Sequence, residues 1–295
     1  MRIGLVDVDS HNFPNLALMK ISAYHKQLGD EVEWANSLEH FDKVYMAKVF
    51  DEMYSKDDLQ AYQCDELIKG GTGYDLHSKL PVEVEKMFPD YSLYNITNTA
   101  YGYLTRGCPR GCPFCIVAEK EGKQSVKVAD LKDFWNGQKE IKLLDPNITA
   151  CPEYFELMEQ LAESKAWVDF TQGLDVRLMT KEKAEALNQV KVKMIHFAWD
   201  NPKDEITKQK LLEFGPLIKG DYKHKMVYVL TNFNSTHEED LYRVNWLRDN
   251  GYDPYVMIYD KPNAPTETRL LQRWCNNKII FRSEPDFSKY DRRIG

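Results

Sequence analysis

The sequence predicts an α/β protein: a partial (βα)6 barrel with a C-terminal extension over residues 86–295, preceded by a small Rossmann-like cap domain over residues 1–85. Three observations predict it. Short apolar runs alternate with stretches of helical periodicity along most of the chain, the pattern of parallel strands joined by crossover helices. The alternation is interrupted once, at Leu76–Thr97, where Pro81, Pro89 and several tyrosines show no clear period. After the interruption, a glycine-rich loop bearing three cysteines follows directly on the first strand.

In the first domain, Ile3–Val8 reads as a short apolar strand, Pro14–Gln27 as a helix, and Glu31–Trp34 as a second strand after the Gly29 stop signal. Asp42–Phe50 and Glu66–Lys69 are expected as strands three and four, the latter running into Gly70-Gly71-Thr72-Gly73-Tyr74. The alternation predicts a parallel, doubly wound sheet with ligand-binding loops at its carboxyl edge. Those loops are Asp9–Pro14 and Gly70–Asp75, and Leu76–Thr97 is read as a linker packed against both halves. Six further strands are expected near Ala100–Thr105, Ile141–Leu144, Trp167–Thr171, Lys193–Trp199, Met226–Thr231 and Pro254–Tyr259. Helices such as Glu153–Ser164 and Glu239–Asn250 separate them. An open barrel of this kind places its chemistry at the carboxyl ends of the strands. The tail reads as a short added strand at Lys278–Phe281.

Hydrophobic residues at 43% and charged residues at 29% of 295 positions are the balance of a globular chain able to bury a large core. No run approaches the roughly 18 apolar residues of a membrane span. The N-terminus meets Asp7 and Asp9 too early for a signal peptide, so a cytoplasmic location is expected. A net charge of −7 argues against a large nucleic-acid footprint, although a local basic patch is compatible with it.

Cys64, Cys151 and Cys275 are scattered, as buried thiols are, whereas Cys108, Cys112 and Cys115 share the loop Thr105-Arg-Gly-Cys-Pro-Arg-Gly-Cys-Pro-Phe-Cys115. Three thiolates on one loop can hold three irons of a cubane and leave the fourth iron open. A zinc knuckle is the competing reading, but it asks for a fourth ligand, and neither His nor Cys follows at short spacing.

The CxxxCxxC loop, with Phe114 before its last cysteine, resembles the radical S-adenosylmethionine (radical SAM) superfamily. The resemblance covers roughly Thr97–Phe287. It implies a 4Fe-4S cluster on Cys108, Cys112 and Cys115, S-adenosylmethionine on the open iron, and an external reductant such as flavodoxin or ferredoxin. It also implies hydrogen abstraction by a 5′-deoxyadenosyl radical, and Phe114 beside the cofactor. Asp145 and Asn147, in Leu144-Asp-Pro-Asn147, stand where the family often contacts the cofactor's ammonium. This sequence departs there from the glycine-rich form, and a helix cap and turn would use the same residues. Gln172, Asp175 and Arg177 match a segment that meets ribose and carboxylate, the alternative being an Asp175–Arg177 ion pair. Asn232 and Tyr259 stand at strand ends near which the family holds adenine. Asp200 closes the fourth strand and can reach substrate, whereas His196 on that strand reads as a hydrogen-bonded core residue.

In the first domain, Asp7, Asp9, His11, Asn12 and Asn15 form a polar loop suited to cover the barrel mouth and bind a flat heterocycle. Capping of the following helix by Asp9 or Asn12 is the alternative use. A cobalamin-binding role is not expected, because Pro14 stands where a histidine-ligand motif needs glycine; a domain that only caps the barrel remains open. The layout also looks like that of bacterial queuine lyases, which implies a small deazapurine-like base as substrate and C–N cleavage. Rival readings are a cobalamin-dependent radical SAM methyltransferase, a tRNA methylthiotransferase-like enzyme, and a non-catalytic zinc- or cluster-binding module. No residue reads as a catalytic acid, base or nucleophile.

Overall fold

The computed structural model describes residues 1–10, 13–57 and 60–291. The chain forms two compact units, Met1–Tyr101 with Lys132–Gln138, and Gly102–Leu131 with Lys139–Gly295. The fold is mixed α/β with parallel sheets, as the alternation predicts. Among the described residues, no helix is long and apolar enough to cross a membrane.

In the first unit, β1 (Arg2–Asp7), α1 (Leu16–Gln27), β2 (Glu31–Trp34), β3 (His40–Ala47) and β4 (Gln63–Gly70) build a parallel sheet of order β2-β1-β3-β4. Among the described residues only α1 joins two of these strands, so the sheet is not doubly wound. Between β2 and β3 the chain crosses β1 without a helix, passing so close that a Cβ on Gly4 would meet Ala35 Cβ at 2.9 Å. Glycine is the residue that permits this approach. Ile3, Leu5, Leu18 and Ile21 form one side of the core, joined by Val84 of α2 (Val82–Glu85). The segment read as a packed linker contributes Val84 to this unit's core. Phe41, Val44, Met46 and Val6 form a second cluster.

The second sheet begins with β5 (Thr99–Gly102), where a single longer strand was expected. Thr105–Arg106 (β6) turns away to pair antiparallel with Val126–Lys127 (β7), and α3 (Val117–Lys120) lies between the two. There follow β8 (Glu140–Leu143), α4 (Tyr154–Ser164), β9 (Trp167–Phe170), α5 (Lys181–Leu187), β10 (Val192–Ala198), α6 (Glu205–Phe214), β11 (Lys225–Thr231), α7 (His237–Asp249), β12 (Asp253–Ile258) and α8 (Thr266–Asn276). The strand order β5-β8-β9-β10-β11-β12 follows the chain. Right-handed crossovers between successive neighbours place their helices on one face of such a sheet. That face is apolar: Ile141, Leu143, Val168, Phe170, Ile195, Phe197, Val227, Val229 and Val256 are at most 3% exposed. Trp246 of α7 meets Trp199 edge-on at 5.2 Å, and the Cys275 thiol of α8 reaches the Pro254 carbonyl at 3.3 Å. Each large side chain buried there contributes about 1.5–3 kcal/mol.

Lys278–Phe281 is not a strand. It opens α9 (Lys278–Ser283), whose first amides, Ile279 and Ile280, donate to the Asn277 side chain. The cap outweighs the β propensity of Ile-Ile-Phe.

Candidate functional site

Asp145, just beyond β8, is fully buried. Its carboxylate accepts from the Leu104 amide at 3.1 Å, the Thr105 hydroxyl at 2.7 Å and the Thr105 amide. Burial pushes its carboxyl up to about 6, against the pull of those donors. The carboxylate thus fixes the segment that enters the cysteine loop.

That loop is the hairpin between β6 and β7. Gly107 has φ +84°, and a Cβ there would stand 2.1 Å from the Gln124 carbonyl oxygen, so the two arms cross where only glycine fits. The Cys108 amide donates to the Gly122 carbonyl at 3.1 Å, and the Cys115 amide to the Cys112 carbonyl at 3.0 Å. All three cysteines are free thiols, Cys108 and Cys112 half-buried and Cys115 exposed. Burial and then Asp200 push the Cys112 thiol up, while Arg177 opposes them. Burial likewise raises Cys115, opposed by its bond with the Val117 amide and reinforced by Cys108 and Asp200. A metal must therefore displace protons from this site. As placed, no three His, Cys, Asp or Glu side chains among the described residues converge enough to hold an ion. The three thiols nevertheless share one loop and are of the donor type that an iron–sulfur cluster takes.

Asn147 adds an observation of its own. It opens a short turn at Ile148–Ala150, yet its side chain makes no capping bond. Instead its Nδ2 donates to Cys108 Sγ at 3.4 Å, and its Oδ1 is buried without a partner. The Asn147 carbonyl accepts from the Ser125 hydroxyl at 2.8 Å, which ties the far arm of the hairpin to the same place.

At the end of β9, the Asp175 carboxylate binds Arg177 Nε at 2.8 Å and Arg110 of the cysteine loop. Burial raises the Asp175 carboxyl, but its bonds with Arg177 and Arg110 outweigh that and hold it below its ordinary value. Arg177 also reaches Asp204 at 3.1 Å. The ion-pair alternative for Asp175 and Arg177 is thus present, and it extends into the cysteine loop. Gln172 is exposed in the turn after β9.

Phe114 meets Phe233 edge-on at 5.3 Å, and Phe233 meets Tyr259 at 4.9 Å, linking the loop to the carboxyl ends of β11 and β12. Asn232, with φ +61°, donates its Nδ2 to the Tyr259 carbonyl at 2.8 Å, which fixes the turn that carries Phe233. Burial pushes the Asp200 carboxyl up to about 6, opposed by Arg243 and Arg177. Arg243, fully buried, donates to the carbonyls of Trp199 at 2.6 Å and Leu230 at 2.8 Å and pairs with Asp240. Phe233 and Arg243 escaped sequence reading because only the folding of the second sheet brings Phe233 to Phe114 and Arg243 to the Trp199 and Leu230 carbonyls.

The first unit uses its acidic residues locally. The Asp7 carboxylate accepts from the Ser10 amide at 3.1 Å and the Tyr94 hydroxyl at 2.6 Å. Asp9, buried, accepts from the Val49 and Phe50 amides at 2.9 and 2.8 Å, joining the β1 and β3 loops. Asn15 is the cap of α1, accepting from the Ala17 and Leu18 amides, a role expected of Asp9 or Asn12. His11 and Asn12 lie outside the described residues.

Comparison with models of known protein families gives no match, and comparison with curated proteins gives none either.

Proposed function

We propose that this chain is a radical SAM enzyme acting on a small heterocyclic substrate, and that its second unit is the partial barrel of that superfamily. The observation that carries the reading is a hairpin with three free thiols. It stands at the carboxyl side of a parallel sheet whose strands follow the chain in order. When bound, a 4Fe-4S cluster with S-adenosylmethionine on its open iron and one electron from a reductant supplies a 5′-deoxyadenosyl radical, which abstracts hydrogen.

Cys108, Cys112 and Cys115 would hold the cluster. Asn147 donates to one of the three sulfurs, and its buried, unpaired oxygen would be free to accept from an N–H group of the bound cofactor. Asp145 and Arg110 anchor the entering side of the hairpin, through the Thr105 segment and Asp175. Asp200 and the Phe114–Phe233–Tyr259 series border the space where cofactor and substrate would meet.

The best specific assignment is a queuine lyase, releasing 7-aminomethyl-7-deazaguanine by C–N cleavage. Anaerobic incubation with reductant, S-adenosylmethionine and queuine, read by mass spectrometry, tests it. Queuine consumption with formation of the deazaguanine supports the lyase. Formation of 5′-deoxyadenosine with queuine untouched rejects that substrate and spares the superfamily.

A further inference from the structure

The second sheet has two faces of opposite character. The pairings Lys142↔Asp169, Asp169↔Met194, Ala198↔Tyr228 and Tyr228↔Tyr255 put Lys142, Asp169, His196, Tyr228 and Tyr255 on the face opposite the apolar one. Here titratable and aromatic groups occupy the middle of one side, and most of them are only half-buried.

Their hydrogen bonding is incomplete in one consistent way. His196 Nδ1 lies 2.9 Å from the Phe170 carbonyl, which only accepts, so Nδ1 carries the proton and Nε2 presents a lone pair. Nε2 has no hydrogen-bond partner among the described residues. The ring stacks on Tyr228 at 5.0 Å and 12°, and the Tyr228 hydroxyl donates to the Thr171 carbonyl at 2.8 Å, keeping its own lone pairs. Asp169 Oδ1 is buried without a hydrogen-bond partner, 3.7 Å from His196 Nδ1. Burial pushes the Asp169 carboxyl up and the His196 ring down, each toward its neutral form. Native structures seldom leave buried acceptors unused without a reason.

We propose that this face is a binding site for a neutral, planar nitrogen heterocycle, whose N–H groups donate to His196 Nε2, Asp169 and Tyr228 Oη. Asp200 lies two residues beyond the carboxyl end of β10, the strand that carries His196. Asn147, beyond the carboxyl end of β8, donates to Cys108 Sγ, which places the cysteine loop at that end of the sheet. The assignment deepens the enzyme reading, on which it rests only in calling the bound ring the substrate.

The test is titration of the full chain with 7-deazaguanine, a ring with lactam and amino N–H donors. Benzofuran, a bicycle of similar size without such donors, is the control. Calorimetry is expected to show binding, weakened roughly tenfold or more in His196→Phe, the equivalent of one hydrogen bond at a buried site, and less in His196→Gln. The nitrogen-15 resonance of His196 Nε2 in the unsubstituted protein is expected to shift with 7-deazaguanine and not with benzofuran. Absence of binding, equal affinity in His196→Phe, or an unmoved Nε2 resonance overturns the proposal. The resonance decides the question if the Phe variant fails to fold. Both measurements are made before and after iron loading. Binding in a chain that takes up no iron would sink the radical reading and leave this site standing.

Discussion

At the scale of single residues, the site turns on two polar side chains behind the cysteines. Asp145 ionises in a dry environment, with its folded-state carboxyl at about 6 against an ordinary 3.8. Between those values the native state binds more protons than the unfolded state, so this group's contribution to stability is present below about pH 4. It is lost as pH rises through about 6. Over that window the shift is worth about 3 kcal/mol at 1.36 kcal/mol per unit. Chemical denaturation from pH 4 to 7 is expected to show that slope in the unsubstituted protein and to lose it in Asp145→Asn; equal slopes would refute the assignment. Asn147 acts differently, since its amide donates to a sulfur that the cluster would use. Hydrogen bonds to cluster sulfurs set the reduction potential, and losing a donor lowers it. Asn147→Leu, which also removes the unpaired Oδ1, is expected to fold with little loss of stability. After iron loading it should give a lower midpoint in a redox titration followed by electron paramagnetic resonance.

Among the elements, Arg243 of α7 joins the carboxyl ends of β10 and β11 through the Trp199 and Leu230 carbonyls. Its ion pair with Asp240 is buried, so removing one partner leaves an uncompensated charge and costs about 3–5 kcal/mol. Urea unfolding of Arg243→Met should show that loss, and adding Asp240→Asn should restore part of it. An additive double variant would mean that the pair is not coupled. The strands and helices around Arg243 were legible in the sequence, because local periodicity marks each one. Glu153–Ser164 and Trp167–Thr171 lie within a residue of the observed α4 and β9. Lys278–Phe281 was misread because its residues favour strands, whereas Asn277 decides for a helix. In the first unit the sheet was legible as parallel, but the helix-free crossing beside Gly4 was not, since it depends on contact between Gly4 and Ala35.

Across the whole molecule, local signals were read and distant pairings were missed. The three cysteines stand out because one loop contains them all. The Arg110–Asp175 pair, Phe233 against Phe114, and the polar face around His196 appear only once the register of the second sheet is known. The proposed function requires that the hairpin of the second unit hold a cubane cluster with one open iron. Anaerobic reconstitution followed by iron, sulfide and zinc analysis tests it most directly. About four irons and four sulfides per chain are expected, lost in Cys112→Ala. Stoichiometric zinc with no sulfide, or iron retained in Cys112→Ala, would contradict it.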